Sequence, residues 1–195
     1  SPSYNVIKKE VSFHNEIKEK IYKEKIKIKE FKSINLQNVS FGYNENNLIF
    51  ENVNFEIISG DKILIKGISG SGKSTLINIL LGLQKPTRGD ILINNINFTK
   101  QDYIFDKLIG YVPQDIYLIN DTIKNNIALF DNIFDEERMK EALKISNTKE
   151  FIDETQSGLE TLIGQKGLKI SGGQRQRIAI ARAIYPGPKI LILDE

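Results

Sequence analysis

Nine consecutive residues, Gly67-Ile68-Ser69-Gly70-Ser71-Gly72-Lys73-Ser74-Thr75, stand between the apolar run Lys62–Lys66 and the apolar stretch that carries Leu76, Ile77, Ile79, Leu80 and Leu83. The order predicts a short strand, a tight glycine loop and a buried helix over 74–84. The run fits the phosphate-binding pattern G-x-x-x-x-G-K-[ST]. A phosphate chain needs many donors close together, and backbone N–H groups supply that density. Gly67, Gly70 and Gly72 let the main chain curl around the phosphates, with Ser69 and Ser71 completing the cradle. The helix that follows aims its positive end at the same oxygens. Lys73 adds a mobile charge, Ser74 offers a hydroxyl to Mg²⁺, and Thr75 supports the α-phosphate. A chance glycine-rich turn is the plain alternative; the flanking apolar segments weigh against it.

Around that loop the pattern is mixed. Ile34–Phe41 and Leu48–Ile58 alternate as strands do, joined by the turn-forming stretch Gly42–Asn47. Ser59-Gly60-Asp61 reads as a tight turn, and Ile91–Ile93 as a further strand. After Asn94 the chain is expected to turn helical and polar. Ile109–Val112 reads as a strand closed by Pro113-Gln114. Helices are expected at Thr122–Phe130, Asp135–Ser146 and Lys149–Thr155. A fourth, capped by Ser171, should run to Tyr185 and stop at Pro186. The order implies an α/β arrangement with an embedded helical lobe.

The final segment, Ile190-Leu191-Ile192-Leu193-Asp194-Glu195, has four apolar residues that predict a strand buried on both faces of a parallel sheet. Ligands gather at the carboxyl ends of such strands, which places Asp194 beside the phosphate loop to hold Mg²⁺, directly or through water. Glu195 can then orient and deprotonate a water that attacks the γ-phosphate. Two solvated turn acids are the bland reading. Ser171-Gly172-Gly173-Gln174 places small residues ahead of a second helix N-terminus. One nucleotide has no need of two such loops from one domain, so this one would have to meet the nucleotide of another copy. A glycine turn before a helix bearing Arg175, Arg177 and Arg182 explains it equally well on physical grounds alone.

Taken together, residues 34–195 resemble the nucleotide-binding domain of ATP-binding-cassette (ABC) proteins. Ile170-Ser171-Gly172-Gly173-Gln174-Arg175-Gln176-Arg177 differs from the usual signature start only by Ile for Leu. The resemblance implies a P-loop NTPase (RecA-like) α/β core, with an N-terminal antiparallel β subdomain and a helical subdomain inserted at about 115–175. It implies ATP and Mg²⁺ as ligands, and a head-to-tail homodimer in which Ser171 and Gly173 touch the γ-phosphate held by the partner subunit. Gly172 and Gln174 belong to the same contact. Tyr43 matches the aromatic that stacks on adenine. Gln114, in Val112-Pro113-Gln114, matches the glutamine that senses Mg²⁺ and the attacking water. Thr161–Gly167 resembles the loop by which exporters relay to their membrane helices, although Gln165 stands where an acid is usual. Pro186-Gly187-Pro188 also departs from the common pattern of one proline after a polar residue. The leader and Tyr111–Tyr117 are similar to flippases for lipid-linked saccharides within that family.

The resemblance therefore implies the ATPase part of an exporter at the cytoplasmic face of a membrane, joined to a transmembrane domain of the same polypeptide through residues 1–32. In the family an aspartate-containing dimer loop and a γ-phosphate-contacting histidine follow the Asp-Glu pair; this sequence stops at Glu195, and His14 does not match that histidine. Later core strands are likewise expected beyond it, so some apolar surface should lie uncovered. The 195-residue chain alone is expected to hold nucleotide weakly and hydrolyse little.

Charge and composition narrow the alternatives. Residues 1–32 hold nine lysines against five glutamates, while the whole chain carries only +2, so the body is mildly acidic. An acidic body argues against a nucleic-acid-binding surface. The basic leader, with Ile7, Val11, Ile17 and Ile21 spaced for an amphipathic helix, suits a solvated face or a segment beside an anionic membrane. There is no cysteine for a disulfide or thiolate site, and no apolar run approaches the roughly 20 residues of a membrane span. A soluble ABC ATPase acting on nucleic acid or ribosomes is the competing reading, disfavoured by the exporter-like loop and the acidic body. A nucleotide-binding module without catalysis is the third.

Overall fold

The computed structural model describes residues 26–28, 30–44, 47–99, 103–104, 107–129, 131, 133–164 and 170–194. The predicted leader helix, His14, Gln165–Gly167 and Glu195 lie outside them.

The alternating segments form a long antiparallel hairpin, β2 (Ser33–Asn44) with β3 (Asn47–Ile58), preceded by the two-residue β1 (Ile26–Lys27). Pairs such as Ile34↔Ile57 and Leu36↔Phe55 set its register. Asn38 and Asn52, both at positive φ, sit where that register slips. Asn38 and Asn54 tie the irregular stretch with paired hydrogen bonds. β4 (Arg88–Ile93) adds to the other edge of β2, and β5 (Ile96–Asn97) adds to β4, giving the order β3-β2-β4-β5. Ile34, Leu36, Val39, Phe41, Ile91 and Ile93 all point to one face and form a buried cluster with Ile79, Leu80 and Leu108.

Ile79 and Leu80 belong to α1 (Lys73–Leu80), the helix after the glycine loop. It ends sooner than its apolar pattern predicts. Gly82 adopts φ +73, and Leu83 N–H and Gly82 N–H return to the carbonyls of Asn78 and Ile79 at 2.9 and 3.0 Å. This left-handed glycine closure satisfies the last carbonyls and turns the chain out of the helix, leaving Leu83 exposed.

Two short strands stand where the sequence predicts a helical stretch: β5, and β6 (Tyr103–Ile104), which pairs in parallel with β1. β7 (Ile109–Val112) pairs in parallel with β8 (Ile190–Leu193), residue for residue from Ile109↔Ile190 to Val112↔Leu193. Two sequence expectations need correction here. β8 covers only one face: Leu191 and Leu193 are 44% and 52% exposed. The predicted strand Lys62–Lys66 has no regular structure, and Leu64 is 75% exposed. A strand exists through its neighbours, and no described strand pairs with this one.

Between β7 and β8 the chain builds a helical lobe. It contains α2 (Ile123–Ile127), α3 (Glu136–Ile145), α4 (Lys149–Asp153), a 3₁₀ turn at Gly158–Glu160, and α5 (Gly172–Ile184). Thr122 and Asp135 cap α2 and α3 through bonds to Asn125 N–H and Arg138 N–H. Glu136 and Glu137 place negative charge at the positive end of α3. Leu118, Ile123, Ile127, Met139, Leu143, Phe151, Ile163, Ile178 and Tyr185 form the lobe's own core. Where the lobe meets the parallel strands the packing uses small side chains: Val112 against Ala179 and Ala183. Gly110 is required there, because a Cβ at that position would lie 2.4 Å from the Ala183 carbonyl oxygen. Among the described residues, no helix is long and apolar enough to cross a membrane.

Candidate functional site

The loop before α1 is open to solvent from Gly67 to Ser71. Gly70 and Gly72 adopt φ +79 and +89, the left-handed region that side chains resist. Gly72 occupies the cap position of α1 and brings no side-chain bond; no acid lies in the first turn. The N–H groups of Lys73, Ser74 and Thr75 therefore have no partner among the described residues, and the helix's positive end is uncompensated. Lys73 folds back, and its ammonium donates to the carbonyls of Gly67 and Ile68, both at 2.9 Å. Ser71 N–H donates to Ile68 O at 3.2 Å. The result is a curled loop, crossed by its own lysine, with free donors facing outward.

Contacts lead from this loop to Tyr43. A Cβ on Gly72 would lie 2.6 Å from Ile49 Cγ2 and 3.3 Å from Phe50, so the loop abuts the start of β3. Phe50 pairs with Phe41 across the hairpin, and the Phe41 ring meets Tyr43 edge-on at 5.3 Å. Tyr43 itself is 70% exposed. A flat ring thus stands free at the hairpin end that borders the phosphate loop, as stacking on a base requires.

At the carboxyl ends of β7 and β8 a cavity of about 350 Å³ is lined by Val112, Pro113, Gln114, Ile116, Gly172, Gln176, Ile180, Leu193 and Asp194. The parallel pairing explains the meeting of Gln114 and Asp194. Asp194 N–H continues the ladder to Val112 O at 3.0 Å, so both residues leave the sheet on the same side. Gly172, Gln176 and Ile180 are spaced four apart on one face of α5 and form the opposite wall. The phosphate loop contributes nothing to this lining.

The turn at 171–174 forms a complete capping box. Ser171 Oγ accepts from Gln174 N–H at 3.2 Å, and Gln174 Oε1 accepts from Ser171 N–H at 2.9 Å. Gly172 and Gly173 are exposed, and a Cβ on either would meet nothing within 4 Å. Among the described residues no close approach explains two adjacent glycines there.

Two residues outside the sequence-predicted set have conspicuous partners. Tyr111 donates its hydroxyl to Asp194 Oδ2 at 3.3 Å. Partial burial, then the charge and the bond of Asp194, push its phenol pKa above the ordinary value. Tyr111 stands on β7 opposite Ile192, two residues before Asp194 on the neighbouring strand. Arg182 has no acidic partner among the described residues: it donates from Nε to Asn126 O at 2.7 Å, from Nη1 to Tyr117 O at 2.7 Å and from Nη2 to Asn126 Oδ1 at 2.9 Å. Burial lowers its pKa from the usual value. Asn126, fully buried, passes the link on to Ile119 and Thr122. The signature helix is thereby bolted to the 117–127 segment, and no sequence pattern pairs these residues. The start of the exporter-like loop is also held: Leu162 bridges Thr122, and Ile163 N–H donates to Asp121 O at 3.1 Å.

Comparison with known proteins agrees with this geometry. A family model described as ABC transporter matches residues 50–195. An export ATP-binding/permease protein, so named, of Rickettsia prowazekii is 46% identical over 167 residues, 84% of this chain and 29% of that protein. The ATP-dependent lipid A-core flippase of Paraburkholderia xenovorans is 39% identical over 168 residues, 84% of this chain and 28% of its own length. A solved structure of a bacterial Atm1-family ABC exporter with ATP bound superposes with a TM-score of 0.77 at 36% identity, covering 86% of this chain and 30% of that one. The chain thus spans less than a third of these relatives. With a P-loop NTPase fold of mixed α/β type, an antiparallel sheet and an inserted helical lobe, it belongs to the ABC transporter family, of which it is an ATPase domain.

Proposed function

We propose that this domain binds ATP with Mg²⁺ and hydrolyses it to drive export through a membrane domain of the same protein, from the cytoplasmic face. The observation that carries the reading is the pair of arrangements just described: an open loop with unpaired N–H donors, and a parallel strand pair that delivers Gln114 and Asp194 to one cavity. In this assignment residues 1–32 link to the membrane part and residues 33–195 form the nucleotide-binding domain, with the helical subdomain at about 115–175.

The donor chemistry fits magnesium. Ser74 hydroxyl, Gln114 amide oxygen and Asp194 carboxylate are hard oxygen ligands and few in number, and Mg²⁺ keeps waters and substrate phosphates for its other positions. When bound, the ion neutralises charge on the β- and γ-phosphates. The chain's own residues do the rest. Gly67, Ser69, Gly70, Ser71 and Gly72 wrap the phosphates through their N–H groups, and Thr75 supports the α-phosphate. Lys73 leaves the carbonyls of Gly67 and Ile68 for the phosphate oxygens, a short swing for a flexible ammonium. Tyr43 stacks on adenine. Gln114 orients the attacking water and Glu195 takes its proton, while the preorganised N–H groups stabilise charge that spreads in the transition state. Ser171, Gly172, Gly173 and Gln174 face the γ-phosphate held by a second copy, which closes the site and excludes water.

Glu195→Gln in the intact protein is expected to leave ATP binding unchanged and to trap a closed dimer with hydrolysis lost. Nucleotide occlusion and phosphate release check both, and unchanged turnover would remove Glu195 as the base. Relatives named for general export and for lipid A-core flipping both match this domain, which supports export as the class and leaves the cargo to other parts of the protein.

A further inference from the structure

Asp194 is held from two directions. Its N–H continues the parallel ladder to Val112 O at 3.0 Å, and the Tyr111 hydroxyl reaches Oδ2 at 3.3 Å. The second bond is long for a hydroxyl and a carboxylate, so it orients the group more than it anchors it. Asp194 Oδ1 has no partner among the described residues. Tyr111 lies on β7 opposite Ile192, and both side chains are half-buried, so the phenol has little freedom to swing away. A phenylalanine would fill the same space and leave Oδ2 without its donor.

We propose that Tyr111 is a positioning residue for Asp194: by occupying Oδ2 it fixes the carboxylate rotation that presents Oδ1 to the metal of a metal–nucleotide complex. The inference rests on the function proposed above. It adds a group from the strand leading to Gln114, so one short segment aims both the amide and the carboxylate.

The test uses Mn²⁺ as the probe, titrated by electron paramagnetic resonance into the intact protein with a non-hydrolysable ATP analogue. Tyr111→Phe is expected to weaken Mn²⁺ binding about threefold to tenfold, the effect of losing one ordinary hydrogen bond, in keeping with its 3.3 Å length. Affinity for metal-free nucleotide should not change. The Mg²⁺ concentration for half-maximal hydrolysis should rise by the same factor, with kcat at saturating Mg²⁺ nearly preserved. In an Asp194→Asn background the same substitution should have no further effect. Unchanged Mn²⁺ affinity in Tyr111→Phe overturns the assignment. So does a loss that persists undiminished beside Asp194→Asn, since a general defect of the strand would act in both backgrounds. A wild-type protein that binds ATP with no dependence on divalent ion overturns it together with the functional reading beneath it.

Discussion

Glycines stand at the N-terminal ends of both α1 and α5, and neither helix has an acid in its first turn, yet the two ends are finished in opposite ways. The α1 end has a left-handed glycine as its cap, no side-chain bond and a lysine turned back on the loop's carbonyls. The α5 end closes on itself, with serine and glutamine satisfying each other's backbone N–H. The first end is left incomplete and suits an external anion. The second is capped by its own side chains, so a phosphate reaching it competes with the Ser171–Gln174 bonds or binds the N–H groups of Gly172 and Gly173, which have no partner among the described residues. Glycine content alone does not separate these cases; the residue at the cap position does.

The comparison can be broken most sharply at Lys73. Lys73→Ala removes only bonds to Gly67 O and Ile68 O from the folded chain, so helix content and melting should hardly change. Hydrolysis by the intact protein should fall on the order of 100- to 1000-fold, as when a preorganised charge-stabilising donor is lost. A large stability loss with activity retained would make the loop structural.

Ser171 sharpens the contrast at the other end. Ser171→Ala removes a helix cap and should cost about 1 kcal/mol of stability, read by thermal or urea unfolding. Ser171→Asp keeps a capping acceptor, so stability should be held while an added negative charge repels phosphate. If the turn serves only α5, the aspartate variant stays active. If it faces a second copy's nucleotide, ATP-dependent dimerisation is lost in a stable protein.

At Tyr43 the expected effect is confined to nucleotide binding. Tyr43→Ala should weaken ATP binding by about 1–3 kcal/mol, the range for a base stacked on an aromatic. Tyr43→Phe should bind nearly as wild type, because the hydroxyl makes no described bond. Equal losses in both would argue for a hydrogen bond in place of stacking.

Legibility in the sequence followed the range of the forces involved. The hairpin, β7, the four main helices of the lobe and the Ser171 cap were readable because alternation, helical spacing and capping are local. The strand end that carries Asp194 was readable too, since an apolar run followed by an acid predicts one; its meeting with Gln114 depends on the parallel pairing of β7 with β8, which no local pattern shows. The end of α1 was misjudged because Leu83 kept the apolar rhythm past Gly82, whose left-handed turn had already closed the helix. Lys62–Lys66 read as a strand by composition, but pairing depends on neighbours distant in the chain. Tyr111 and Arg182 were missed for the same reason. Their partners lie 83 and 56 residues away, and only tertiary structure brings them together.

The place where Gly110 lies under the Ala183 carbonyl has a mechanical consequence. Most helices ride on sheets through a cushion of side chains that can tilt and absorb a shift. Here main chain rests on main chain, with Ala179, Ala183, Val112 and the Pro188 ring around it. A displacement of the helix capped by Ser171 therefore bears directly on a strand that runs on through Tyr111 and Val112 to Pro113 and Gln114. What happens at one mouth of the cavity is felt, almost without give, at the other.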